Sequence, residues 1–231
     1  MDASTGMPDG FYDALETRSR DAREAAQLAA LKAQVARLAG SAAAGYGEAE
    51  LRALPDLARL PVIRKAELVE RQRAHPPFGG WPVTNAAQVF QSPGPIYEPG
   101  GIGHDWWRMG RFLHACGIGS NDIVQNCFGY HLTPAGHIFE NGARAVGAMV
   151  LPAGTGQTEL QARAAHDAGC TAYAGTPDYL LAILEKADAL GLGPHNDPAP
   201  KTYKQASNKK AHPLRDGLFM ARPEGFEPPA T

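Results

Sequence analysis

The chain has 231 residues, 44% hydrophobic and 20% charged, with a formal net charge of −2. That length supports one sizeable core or two small ones. The balance is that of a soluble globular protein, with neither a nucleic-acid-binding surface nor a polybasic membrane anchor. The opening Met1-Asp2-Ala3-Ser4 carries no basic region followed by an apolar run, and no stretch is long and apolar enough to span a bilayer. Cys116, Cys127 and Cys170 are odd in number and widely spaced. They match no zinc or CxxC pattern and read as buried thiols in a reducing compartment, by default a bacterial-type cytoplasm.

In chain order, the first helix is predicted over Ser19–Leu38. Ala22, Ala25, Ala26, Ala29, Ala30 and Val35 recur there near helical spacing, and Gly40 stops it. Leu60-Pro61-Val62-Ile63-Arg64 reads as extended and leads into a helix ending near Arg73. Pro76-Pro77-Phe78-Gly79-Gly80 reads as a loop. A short strand is predicted at Gln88–Gln91, then a helix at Asp105–Cys116 with Trp106, Met109, Phe112 and Leu113 on one side. Strands at Asp122–Cys127, Ala148–Leu151 and Thr171–Ala174 alternate with helices at Thr133–Val146, Thr158–Ala168 and Thr176–Leu190. Thr133-Pro134 and Thr176-Pro177 each read as a cap followed by proline at the first helical position. The alternation predicts an α/β fold: a partial parallel sheet covered by helices, preceded by an N-terminal helical region. The expected division is residues 1–80 helical, 81–191 α/β, and 192–231 a disordered tail. That last segment holds seven prolines and six Lys/Arg against four Asp/Glu, which leaves the body near −4. Its few large apolar residues do not offset the entropy of ordering it.

Ligands of open parallel sheets bind beyond the carboxyl ends of the strands. Those ends run into Phe128-Gly129-Tyr130-His131-Leu132-Thr133, Pro152-Ala153-Gly154-Thr155-Gly156-Gln157 and Gly175-Thr176-Pro177-Asp178-Tyr179. Together they predict a pocket with an aromatic wall and backbone donors at helix N-termini. Gly154, Thr155 and Gly156 suit close backbone approach to a ligand and equally a tight turn that needs positive φ. The histidines, including His131 and His137, make no metal-ligand spacing, and Ser92 has no general base near it in sequence, so neither a metal site nor a catalytic residue is assigned.

The order Phe128-Gly129-Tyr130, Gly154-Thr155-Gly156-Gln157-Thr158-Glu159 and Gly175-Thr176-Pro177-Asp178-Tyr179-Leu180 resembles the phenylacetate–coenzyme A ligase family of the AMP-forming, adenylate-forming superfamily. Phe11-Tyr12-Asp13 and Leu60-Pro61-Val62-Ile63-Arg64-Lys65 are similar to that family's N-terminal region, and the likeness covers about residues 10–191. It implies an incomplete N-terminal domain of an enzyme that uses ATP and Mg to activate an aryl or acyl carboxylate and passes it to coenzyme A. It implies Tyr130, His131, Thr176 and Pro177 at the acyl group, and Ser92, Gly94, Gly154, Thr155 and Gly156 at the cofactor. Two departures follow. The family's phosphate loop is rich in Ser, Thr and Gly with a Lys before a Pro; here Ser92-Pro93-Gly94-Pro95-Ile96-Tyr97-Glu98-Pro99 has two prolines without N–H donors and Glu98 at the Lys position. It is expected to bind ATP poorly. The family's adenine-binding strand, Mg-holding acid motif and C-terminal Lys domain have no counterpart in this sequence, so the chain is expected to be inactive alone; an acyl-binding module without turnover and a frameshift product are the alternatives. Gly225-Phe226-Glu227-Pro228 back-translates to GGN-TTY-GAR-CCN, and one permitted solution, GGGTTCGAACCC, contains the T-arm consensus of a transfer RNA gene, so the tail reads either as a frame run into such a gene or as an ordinary Pro-rich linker. A sheet lacking later strands is expected to expose an edge, with homodimerisation through it.

Overall fold

A computed structural model describes residues 10–41, 44–47 and 50–192, and the backbone of 219–221. The tRNA-like peptide and all of the expected disordered tail except Leu192 and that short backbone stretch lie outside these residues. The chain divides into two compact units, residues 1–101 and 102–231.

The first unit opens with helix α1 (Arg20–Leu38), started by the Ser19 hydroxyl, which accepts from the Ala22 N–H at 3.2 Å. The alanine stripe along α1 stays exposed and only Val35 is buried, so the helix rests on alanine's high propensity more than on burial. A short helix α2 (Ala44–Gly47) and a 3₁₀ turn (Leu54–Arg59) lead to helix α3 (Lys65–Ala74). Strands β1 (Gln88–Ser92) and β2 (Ile96–Gly100) then form an antiparallel hairpin, with Ser92 opposite Ile96 and Gln88 opposite Gly100. The sequence reading sets a boundary at 80/81; the hairpin instead belongs with α3. The reason is Gln72, a buried α3 residue whose amide bonds both backbone polar groups of Tyr97 in β2. Its Nε2 donates to the Tyr97 carbonyl at 2.7 Å and its Oε1 accepts from the Tyr97 N–H at 2.8 Å.

The second unit begins with helix α4 (Gly110–Ala115). The helix predicted from Asp105 starts five residues later, because Asp105 and Arg108 take positive φ and the Asp105 carboxylate accepts from the Gly110 N–H. Then come β3 (Ile123–Asn126), α5 (Ala135–Ala145), β4 (Met149–Leu151), α6 (Thr158–Asp167), β5 (Ala172–Gly175) and α7 (Pro177–Ala189). Strand β6 (Phe219–Ala221) pairs antiparallel with β5, so this piece of the tail region is extended where the sequence reading expects no regular structure.

The strand order is β4-β3-β5-β6, with β3 parallel to both β4 and β5. Strand alternation splits the core into two layers. Val124, Ala172 and Ala174 pack with Leu113, Phe139 and Ala143 from α4 and α5. Cys127 and Tyr173 pack with Ala162, Leu180 and Ile183 from α6 and α7. Buried Asp122 pins the start of the sheet, accepting from the Thr171 hydroxyl at 2.8 Å and the Gly119 N–H at 2.8 Å.

Candidate functional site

The chain leaves β3 toward β4 on one side and returns past β3 to form β5 on the other. The helix after β3 and the helix after β5 therefore cover opposite faces, and the loops at the ends of these two strands diverge. Such a switch point opens a crevice at the carboxyl edge, the usual ligand position in open α/β sheets. Tyr130 follows β3 there, and Thr176 and Pro177 follow β5.

Tyr130 is held from three sides. Its hydroxyl accepts from Asn126 Nδ2 at 2.8 Å, and the second Asn126 amide hydrogen goes to the Gly136 carbonyl at 2.8 Å. The ring lies so close to Gly136 that a Cβ there would meet it at 2.7 Å. His137 stands edge-on at 5.1 Å between ring centroids. Burial, reinforced by the nearby Glu140 carboxylate, raises the Tyr130 phenol well above its ordinary pKa, so it stays protonated. His131 is exposed and takes no part in this cluster beyond its carbonyl, which accepts from the Thr133 N–H.

The Thr133-Pro134 cap does not form. Leu132 takes φ 63°, the Thr133 hydroxyl turns back to donate to the Gly129 carbonyl at 3.2 Å, and Pro134 itself occupies the cap position. Thr176 does cap α7 in position, with Pro177 first in the helix. Its side chain makes no capping bond to the backbone; the hydroxyl bonds the Asp178 carboxylate instead, which with nearby backbone N–H groups holds that acid below its ordinary range. Thr176 and Pro177 are exposed.

Gly154, Thr155 and Gly156 form the β4–α6 turn. Gly154 and Gly156 have φ of 65° and 83°, and Gln157 also takes the left-handed region at 52°. The Gly154 N–H donates to the Asn126 carbonyl at 2.9 Å, which ties this turn to the end of β3. A Cβ on Gly154 would lie 3.9 Å from the Tyr130 ring, so turn and aromatic wall adjoin. Tyr179 reaches over from α7 and donates to the Gly156 carbonyl at 2.7 Å. Beneath the turn, Gln161 bonds inward to Gln125 and Cys127 and outward to the turn's carbonyls.

Tyr130, Gly154, Thr155, Gly156 and Thr176 thus gather on one strand edge of the second unit. Ser92 and Gly94 lie in the first unit, at the tip of the β1–β2 hairpin. The Ser92 hydroxyl donates to the Glu98 carboxylate across the hairpin. A separate pocket of about 520 Å³ in this unit is walled by Phe78, Trp81 and Tyr97 with Lys65 and Glu98, and Ser92 and Gly94 do not line it.

Asn126, Gln125, Gln161 and Gly136 are not among the residues the sequence singles out, and Tyr179 enters there only as part of the loop after the last strand. The available signal was Gln125-Asn126 inside the otherwise apolar run Ile123–Cys127, since an amide buried in a central strand must find partners.

No protein-family model matches the chain. It is 30% identical over 212 residues to the phenylacetate-coenzyme A ligase of Aromatoleum evansii, covering 84% of this chain and 47% of that protein. It is 30% identical over 160 residues to the enzyme of the same name from Thermus thermophilus, covering 65% and 35%. The structure of a 2-hydroxyisobutyryl-CoA ligase in an open conformation, in complex with 2-HIB-AMP and CoA, superposes with a TM-score of 0.69 at 24% identity, over 83% of this chain and 46% of that one. The chain spans between about a third and a half of the length of the relatives it matches. Fold and sequence together place it in the adenylate-forming superfamily. Within that class it belongs with the phenylacetate–coenzyme A ligase-like proteins and is homologous to their N-terminal part.

Proposed function

We propose that the carboxyl edge of β3 and β5 binds an aryl or acyl carboxylate, or its adenylate, with Tyr130 as the aromatic wall, the Gly154–Gly156 turn beside it, and Thr176 and Pro177 at the far side. The observation that carries this reading is the coincidence of the switch point with an aromatic residue locked by Asn126 and Gly136. A rigid apolar surface with few polar groups around it is what an aryl acid requires. The names of the relatives add the acid class, and a bound acyl-AMP and CoA in a relative of the same fold add the adenylate.

Full-length relatives would supply ATP, Mg and coenzyme A chemistry. The described residues of this chain do not fit the triphosphate and its metal. Ser92 is bonded to Glu98, Pro93 and Pro95 offer no N–H, and a carboxylate stands where phosphate oxygens would need positive charge. Among the described residues no group of acidic, His or Cys side chains is arranged to hold a metal ion. The reading is therefore binding without carboxylate activation by this chain, and no chemical step is assigned to it.

Calorimetry tests this with phenylacetate and with a phenylacetyl-sulfamoyl adenosine as a stable adenylate mimic. Saturable heat that Tyr130→Ala removes is the expected result, together with no ATP–pyrophosphate exchange. A folded sample that takes up neither compound overturns the binding reading, and measurable exchange overturns the lack of activation.

A further inference from the structure

Gln161 is 5% exposed, on the first turns of α6 under the β4–α6 turn. Its Oε1 accepts from Gln125 Nε2 at 3.2 Å and from Cys127 Sγ at 3.0 Å. Its Nε2 donates to the Gly156 carbonyl at 2.8 Å and the Gly154 carbonyl at 3.0 Å. Both amide hydrogens and both acceptor directions are used, so the group has one orientation; turning it over would set its NH₂ against that of Gln125. In a planar trans peptide, the C=O of one residue and the N–H of the next point in opposite directions. Holding the carbonyls of Gly154 and Gly156 inward therefore turns the N–H groups of Thr155 and Gln157 away from the core. The turn needs such a hold, because Gly154, Gly156 and Gln157 all sit at positive φ, and for Gln157 that conformation costs about 1 kcal/mol.

We propose that Gln161 is the positioning residue of the site. It touches no ligand; it fixes the β4–α6 turn so that the backbone donors of Thr155 and Gln157 face the space beside Tyr130, ready for the carboxyl or phosphoryl oxygens of an acyl adenylate. Its role at the ligand rests on the binding reading above, while its hold on the turn does not.

The test separates the two. Backbone ¹⁵N relaxation on the full chain reports the turn alone. In the wild type, the amides of Thr155, Gly156 and Gln157 are expected near the rigid order parameter of about 0.85, and in Gln161→Met below about 0.6. The Gln161 side-chain amide protons of the wild type are expected to exchange slowly with solvent, a readout that needs no variant. If the single variant does not fold, Gln125→Met with Gln161→Met keeps volume and leaves no orphaned amide, so it serves in its place. Affinity for the adenylate mimic is expected to fall about tenfold or more, with phenylacetate itself affected several-fold less. A folded variant whose turn stays rigid, or fast exchange of the wild-type Gln161 amide, overturns the proposal. A loosened turn in a chain that never binds the mimic overturns the binding reading and leaves Gln161's hold on the turn standing. Unchanged mimic affinity in a folded variant with a loosened turn overturns its role at the ligand.

Discussion

Two glycine-bearing turns in this chain invite the same reading and turn out differently. Ser92–Pro99 and Gly154–Gln157 both carry small residues suited to close backbone approach. The first closes an antiparallel hairpin, so its flanking backbone is spent on the ladder and its hydroxyl on Glu98. The second joins a parallel strand to a helix, and the buried Gln161 amide takes its carbonyls from below. A glycine-rich segment becomes a candidate ligand cradle only when something else satisfies its carbonyls and leaves its N–H groups outward.

The difference can be attacked most strongly through pH. Cys127, bonded to Gln161 under the second turn, is pushed by burial from its ordinary value near 9 up to about 12, and burial raises Tyr173 in the same direction. The folded chain holds these protons more tightly than the unfolded chain. The thiol's stabilisation is therefore fully present below pH 9 and lost as pH rises through about 12, and the phenol's begins to fall only above its ordinary value near 10. Urea titrations at stepped alkaline pH should show the second unit weakening over that window. Cys127→Ala should flatten part of the slope, and an unchanged slope would remove the thiol from the account.

Next in size is Gly136→Ala. The added methyl would meet the Tyr130 ring at 2.7 Å, against a ring already fixed by Asn126. Overpacking of this kind costs about 1–3 kcal/mol. Denaturant unfolding should show that loss, and phenylacetate binding should weaken with it. On the hairpin side, Gln72→Leu leaves the Tyr97 N–H and C=O without their side-chain partner. A loss of about 1–2 kcal/mol is expected from unsatisfied, partly buried backbone groups. Amide exchange at Tyr97 should accelerate while the Gly154 amide stays protected; if both change, the two turns are not independent. Smallest is Glu98→Gln, which keeps a partner for Ser92 and removes the anion. Stability should move by less than about 0.5 kcal/mol, as for an ordinary surface change. A gain of measurable ATP affinity in a filter-binding assay would show that the carboxylate alone disqualifies the hairpin.

Much of the second unit was legible from the chain. Short segments rich in apolar residues at 122–127, 148–151 and 171–174, separated by helical stretches, gave the elements to within a residue or two at most ends, because strands and helices alternate regularly along this part of the chain. The misses have local causes. Asp105 opens a turn closed by the Arg108 N–H instead of starting a helix, and its carboxylate is spent on the Gly110 N–H. Thr133 fails as a cap because the helix starts one residue later than a Thr133 cap requires, with Pro134 in the cap position, and the Thr133 hydroxyl is turned back toward the Gly129 carbonyl. The family likeness implies His131 at the acyl group; its side chain is exposed, and His137 from the following helix stands against the Tyr130 ring.

What the sequence determined by itself is the alternation of elements, the family likeness carried by Gly154-Thr155-Gly156 and Gly175-Thr176-Pro177, and the two prolines and one carboxylate of the Ser92–Pro99 segment. These depend on local composition, spacing and charge, which a single chain displays. Tertiary structure alone decided the order β4-β3-β5, the switch point it creates, and the pairing of Gln125 with Gln161 and of Asn126 with Tyr130 and Gly136. The first of those pairs is 36 residues apart, and no local preference can choose it. It is set by the requirement that every polar group buried between sheet and helix find a partner across the fold.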